Sequence, residues 1–389
     1  MLRFLTAGES HGPGLVATIE GLPAGLEVDI EGLQHELARR RLGFGRGPRM
    51  KLEKDELEVL AGVRHGATLG SPVAVIIRNT EWPRWQRAMS PEPQEEPEED
   101  TQTGRKLTAP RPGHADLAGM MKYDRRDARD ILERASARET AARTVVGYLA
   151  KQLLRTIEVE VLSHVVAIGK VTAPKSPLPI PSDLEQIDAS EVRCFNPEAG
   201  AAMIGEIEAA RADRDTVGGV VEVLAYNTPA GLGSHVHWDR RIDGLLAGAL
   251  MSIHAIKAVE IGDGLETARR RGTEAHDEIY YDEGFKRRTN RAGGTEGGMT
   301  VGGLLRVRAA MKPISTVLKG LETVDVVSRQ SERAFYERSD TCAVPAAGVV
   351  AEQMVAIVLA QECQRVFGGD TVDDFRAAAL SHKSRLAAF

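Results

Sequence analysis

The sequence predicts an α+β fold, mixed α/β but not doubly wound, on three observations. Segments with strand and helix periodicity alternate along the whole chain of 389 residues without a tandem repeat. Their order does not reproduce the βαβ rhythm of a parallel sheet. Neither GxGxxG nor a Walker A pattern occurs, so a Rossmann fold has no support. No break in composition divides the chain, and residues 1–389 are expected to form one domain.

Gly14–Ile19 and Pro72–Ile77 are short β-branched runs between turn residues, the pattern of strands. Ile30–Arg41 and Thr140–Ile157 carry helical spacing; in the second, Val145, Leu149 and Leu153 share a face. Further helices are expected at Pro197–Arg211, Asp239–Val259, Pro345–Phe367 and Thr371–Leu386. Further strands are expected at Val159–Ile168, Val217–Ala225 and Leu304–Ala310. Six of the nine residues from Glu92 to Asp100 are acidic, with prolines among them, so a mobile solvated loop is expected at about 90–104.

Composition excludes several classes of function. There are 50 Lys and Arg against 56 Asp and Glu, a net charge of −6, which disfavours a general polyanion binder. The basic residues lack the interleaved aromatics that stack on single-stranded nucleic acid. Cys194, Cys342 and Cys363 lie too far apart for a CxxC metal site and are odd in number, so neither a disulfide framework nor a metal centre is expected. MLRFLTAGESHG turns polar too soon for a signal peptide, and Ala343–Ala360 is interrupted by Glu352 and Gln353. A soluble protein of a reducing, cytoplasmic compartment is the expectation.

Polar residues concentrate in four regions. In Gly8–Gly14, at the end of a short strand, glycines and a proline bracket Ser10 and His11; the pair is either an exposed turn or a histidine held where a ligand meets backbone. Arg39–Lys51 holds six basic residues in thirteen with no acid. A helix C-terminus accounts for Arg39–Arg41, but not for Arg46, Arg49 and Lys51 continuing through glycines. Guanidinium groups on such a loop suit a phosphate or carboxylate ligand. The third region joins Arg111–Asp116 to Glu133–Thr140, where Ser136 and Glu139 have the spacing of a capping box and Arg134 and Arg138 flank a helix start. In the fourth, the glycine pairs of Asn290–Gly298 lead to Lys312–Thr316 and then to Arg338 and Asp340. His235 and His237 lack further ligands at metal spacing and read as structural, and His254 reads as a core or rim histidine.

These segments together resemble the chorismate synthase family almost end to end. GESHGPGLVATIEGLP (Gly8–Pro23), GFGRGPRMKLEKDE (Gly43–Glu56), RPGHADLAG (Arg111–Gly119) and ERASARETAARTVVGYL (Glu133–Leu149) occur in family order. GLGSHVHWDRRIDG, MSIHAIKAVEIGDG, NRAGGTEGGM, MKPIST and RSDTCAVPAAGVVAEQM complete the set. Thr341, Gln353 and Thr295 depart from the family pattern, and Pro91–Asp100 lies where members vary.

The resemblance implies a β-α-β sandwich with helices between antiparallel sheets, assembled as a homotetramer. It implies a carbon–oxygen lyase converting 5-enolpyruvylshikimate 3-phosphate to chorismate and phosphate by 1,4-anti elimination, with reduced FMN and no net redox change. A substrate with two carboxylates and a phosphate makes the basic loop intelligible, with Arg40, Arg46, Arg49, Arg138 and Arg338 as its expected partners. His11 and His114 match the family's two general acids, Asp340 the group assisting proton removal, and Ser10 and Ser136 hydroxyls that relay protons. The implied FMN contacts are Arg134, Ala135, Ser136, His254, Ala255, Gly298, Lys312, Pro313, Ile314, Ser315, Thr316 and Arg338. Arg40 and Arg46 also match positions associated with NADP.

Overall fold

The computed structural model describes residues 2–47, 55–94, 103–335 and 340–389. The chain opens with β1 (Arg3–Ala7) and β2 (Gly14–Glu20), then α1 (Ile30–Arg41), β3 (Glu56–Ala61) and β4 (Val73–Arg78). These strands form an antiparallel sheet in the order β1-β2-β4-β3. Alternation places Leu15, Ala17 and Ile19 on its inner face, directly opposite Ile77, Val75 and Val73.

The middle of the chain supplies α2 (Asp116–Tyr123), α3 (Arg129–Ala135), α4 (Thr140–Arg155), β5 (Glu160–Ile168), β6 (Val171–Thr172), α5 (Pro197–Ala212) and β7 (Gly219–Thr228). There follow α6 (Ile242–Met251), β8 (Ile256–Ile261), β9 (Gly303–Met311), α7 (Val344–Phe367) and α8 (Val372–Ala387). The second sheet is also antiparallel, in the order β8-β9-β7-β5-β6. Helix α4 packs against β2 of the first sheet and α7 against β5 and β7 of the second, while α4 and α7 pack on each other. The result is the expected sandwich, with helices enclosed between two antiparallel sheets. Both central helices are therefore buried nearly all round, as a helix with apolar residues on every face must be. Helix α7 is long and apolar enough to cross a membrane by length and composition, yet it is a core helix with both flanks covered.

The expected helix Asp239–Val259 is half right. It ends at Met251, and Ile256–Ile261 leaves as strand β8 to pair with β9. Ala255, at a φ of +66°, turns the chain, and the β-branched Ile256, Val259 and Ile261 suit the strand that follows.

A polar network crosses the apolar core where α1, α4, α7 and β5 meet. Arg39 donates to Glu36 at 2.7 Å, to Glu352 at 2.9 Å and to Asp188 at 2.7 Å. Lys151 reaches Glu36 at 2.9 Å and also binds Glu352, while Arg193 contacts Asp188. Ser163, on the inner face of β5, donates to Glu352 at 2.9 Å, and Gln353 to Glu36 at 2.7 Å. Arg39 and Arg40 are buried, so the C-terminal end of α1 turns inward. Burial raises the cost of ionising Glu352, but Arg39 and Lys151 outweigh it and hold that carboxyl far below the usual range. Gly147 lets α4 approach: a Cβ there would lie 2.3 Å from Gln353 Cβ.

Two outcomes test this packing. Gly147→Ala should destabilise the fold by ~1–3 kcal/mol through overpacking. Gly205→Ala, on α5 with nothing within 4 Å of its new Cβ, should stabilise it by ~0.5–1 kcal/mol, both read from denaturant midpoints. Glu352→Gln leaves buried cations uncompensated and should lose ~3–5 kcal/mol at pH 7. Because the Glu352 pKa is depressed in the fold, its stabilisation is present at neutral pH and is lost as pH falls below the ordinary carboxyl range. The wild-type advantage over Glu352→Gln should therefore shrink on acidification.

Candidate active site

The cleft lies where the C-terminal end of α1 and the N-terminal approaches to α4 and α7 converge. Its volume is about 410 Å³, a size suited to a small ligand. A larger groove of about 1360 Å³ along α8 holds none of the sequence-predicted site residues.

One wall comes from the loop after β1. Gly8 has a φ of +101°, and a Cβ on it would lie 2.3 Å from Gly14 O, so only glycine permits the turn that presents Ser10 and His11. His11 Nδ1 lies 2.8 Å from Glu133 Oε1, and its backbone N–H donates to Glu133 Oε2 at 2.8 Å. The imidazole stacks on Trp85 with centroids 4.1 Å apart. Ser136 donates to Ser10 at 3.2 Å.

Ser136 caps a 3₁₀ turn, Ala137–Glu139, by accepting from Arg138 N, and α4 begins after that turn. The expected capping box does not form. The Glu139 carboxylate instead accepts from Thr6 Oγ at 2.7 Å and from Arg143 at 2.8 Å, tying β1 to α4.

The opposite wall carries His114. Its Nδ1 contacts Asp116, and Arg111 donates to the same carboxylate at 2.8 Å and to Thr316 at 3.1 Å. Burial opposes ionisation of Asp116, but the His114 and Arg111 hydrogen bonds prevail and lower its pKa to about 2. Ser315 donates to Gly113 O at 2.8 Å, and Lys312 binds the same carbonyl, so the Lys312–Thr316 segment clamps the histidine loop.

The guanidinium groups of the anion site face protein carboxylates. Arg138 binds Asp55 and donates to Asn79 at 3.1 Å, while Arg40 and Arg41 lie 3.8 and 3.4 Å from Asp55. Arg46 donates to Asp340 at 2.5 Å and the Gly47 N–H at 2.6 Å. Gly45, at a φ of +90°, brings this loop against Cys342 and accepts from Thr341 N at 2.8 Å.

His254 completes the cleft beside Ala255, whose carbonyl accepts from Lys312 N at 2.9 Å. The His254 Nδ1 is buried with no hydrogen-bond partner among the described residues. Burial lowers its pKa; Glu139 opposes this, and Arg143, His114 and Arg134 add to it. The histidine read as core or rim thus lines both the cleft and the hollow beside it.

The cleft gathers Ser10, His11, Arg40, Arg46, His114, Ala135, Ser136, Arg138, His254, Ala255, Lys312, Ile314, Ser315, Thr316 and Asp340. Pro313 lies within the clamp segment but not on the wall. Arg134 borders an adjoining hollow of about 300 Å³ that also touches His254. Gly298 faces elsewhere: its carbonyl accepts from Ile242 N, and a Cβ would lie 2.7 Å from Arg241 Cγ. Arg49 and Arg338 lie outside the described residues, as does most of the acidic run. Sequence reasoning missed Asp55 and Trp85 as parts of the site, and gave no role to Arg111, Asp116 and Glu133 although all three lie in the third polar region. Asp116 had a local signal, two positions after His114; Glu133 had none, standing 122 positions from His11.

Known proteins of one family resemble the chain over nearly its whole length. A family model described as chorismate synthase matches residues 2–363. The chorismate synthases of Acidothermus cellulolyticus and Thermobifida fusca are 62% and 60% identical to this chain, covering 97% and 96% of both partners. A crystal structure of chorismate synthase superposes with a TM-score of 0.80 at 42% identity, covering 100% of this chain and 99% of that one. The chain belongs to the chorismate synthase family.

Proposed function

We propose that this cleft removes phosphate from 5-enolpyruvylshikimate 3-phosphate by 1,4-anti elimination to give chorismate, with His11 and His114 as its general acids. The family is one of carbon–oxygen lyases of the shikimate pathway, which leads to the aromatic amino acids. The observation that carries the reading is the convergence of His11, His114, Asp340 and the Arg40, Arg46 and Arg138 guanidiniums on one cleft.

The substrate presents two carboxylates and a phosphate, and each of these arginines already faces a carboxylate of the protein. Binding therefore exchanges Asp55 for substrate anions at Arg40 and Arg138, instead of stripping water from bare cations, while Asp340 keeps its hold on Arg46. His114, oriented by Asp116, protonates the departing phosphate. Asp340, held by Arg46 and the Gly47 N–H, assists proton removal in the cleft. Ser10 and Ser136, within hydrogen-bond distance of each other, relay or orient protons near His11. Arg49 and Arg338 join the same anion site in this reading.

The residues present fit a flavin. The unpartnered His254 Nδ1 suits a polar ring edge, and Ala135, Ala137 and Ala255 leave room for a flat face. Ser136, His254, Ala255 and Lys312–Thr316 would hold it, with Arg134 and Arg338 as further family positions; Gly298, off the cleft wall, would not touch it here. Bound reduced FMN supplies transient electron density that helps expel phosphate and is recovered, so there is no net redox change. A cytoplasmic homotetramer, supplied with reduced flavin by a separate NADPH-dependent source, completes the proposal; Arg40 and Arg46 are the positions for any direct NADP contact.

His11→Ala and His114→Ala should each lower kcat by ~10²-fold or more, while FMN and substrate still bind. Phosphate release under anaerobic conditions with chemically reduced FMN measures this, and near-wild-type turnover in both variants removes the assigned roles. Incubated in air with NADPH and FMN but no other reductant, the protein should not turn over; sustained chorismate formation there would reveal a flavin reductase activity of its own.

A further inference from the structure

We propose that Glu133 is the positioning residue of His11, fixing which ring nitrogen exchanges protons with a ligand in the cleft. The inference rests on the reading of His11 as a general acid. The Glu133 carboxylate is buried and meets two groups of one residue: Oε1 lies 2.8 Å from His11 Nδ1, and Oε2 accepts the His11 backbone N–H at 2.8 Å. The Glu133 main-chain carbonyl also accepts from Ser10 N at 2.9 Å, so one residue of α3 pins both members of the Ser10–His11 pair.

An ionised carboxylate only accepts hydrogen bonds, so Nδ1 must carry a hydrogen and Nε2 is left for proton exchange. Burial works against ionisation of Glu133, but its contacts with His11 and the Arg129 guanidinium keep its pKa below the ordinary value. Arg129 lies 3.4 Å from Glu133 and 4.8 Å from the centre of the Trp85 ring, on which His11 stacks. His11, Trp85, Arg129 and Glu133 thus close a ring of contacts that leaves the imidazole little freedom to rotate.

Glutamine at this position is nearly isosteric but offers one accepting oxygen to two donors. Its amide NH₂ must face either the His11 backbone N–H or Nδ1. The first opposes two donors, and the second favours a bare Nδ1 and disfavours the doubly protonated acid form.

The test uses the full chain with chemically reduced FMN. Glu133→Gln should lower kcat by ~10²-fold with KM changed by less than ~3-fold, and have almost no further effect in a His11→Ala background. The ¹⁵N-histidine spectrum, with His11 assigned by difference from His11→Ala, should show hydrogen on Nδ1 in the wild type and its loss in Glu133→Gln. Wild-type turnover in Glu133→Gln overturns the proposal. So does an equal loss in the His11→Ala background, which would mark a structural effect. If Glu133→Gln does not fold, the wild-type spectrum decides alone: a neutral ring with a bare Nδ1 is incompatible with the proposal. Retained turnover in His11→Ala would instead sink the reading of His11 itself, a different failure from active Glu133→Gln beside inactive His11→Ala.

Discussion

The constraint on which the rest of the structure depends is the neutralisation of Glu352 in the middle of α7. A carboxylate enclosed between two sheets survives only if cations and hydrogen-bond donors reach it from its neighbours. Arg39 comes from α1, Lys151 from α4 and Ser163 from β5, so satisfying one charge fixes the approach of three helices and a strand. Each of those helices also brings one end to the cleft. Arg40 follows Arg39 at the end of α1, Ser136 and Arg138 precede α4, and Asp340 precedes α7. The buried network and the reactive surface are two ends of one packing arrangement.

Asp55 plays a matching part at the surface of that arrangement. It faces Arg40, Arg41 and Arg138 together, as Asp340 faces Arg46. Internal carboxylates keep a concentrated set of guanidiniums from repelling one another before a ligand arrives. This reconciles a net charge of −6 with a local anion site.

The strands of the first sheet were legible because one of its faces is buried, so Leu15, Ala17 and Ile19 alternate with more exposed residues. The site motifs were legible because turns that present backbone need glycine, as at Gly8 and Gly45. The sequence said least where partners are distant. Arg39 binds Glu352 across 313 positions and His11 binds Glu133 across 122, and no local pattern encodes either pairing. Local rules also misled when tertiary contacts outbid them. Glu139 had the spacing to close a capping box, but Thr6 and Arg143 claimed its carboxylate. Met251–Val259 had helical periodicity until the turn at Ala255 gave half of it to a sheet. Gln353, at a position where the family resemblance implies a small side chain, fits because Gly147 stands opposite.

The place of α7 also has a temporal consequence. A ribosome delivers the first sheet early, but the helix that closes the space between the sheets begins only at Val344 of 389 residues. Until then, the inner face of the second sheet and the side of α4 turned toward it lack their principal cover. With synthesis at ~5–20 residues per second, that interval lasts tens of seconds. The nascent chain spends it with core surface open to chaperones and to aggregation, and the contacts that tie the second sheet to α4 through α7 form only at the end. An architecture that centres its charge on α7 makes the arrival of that helix the event that commits the fold.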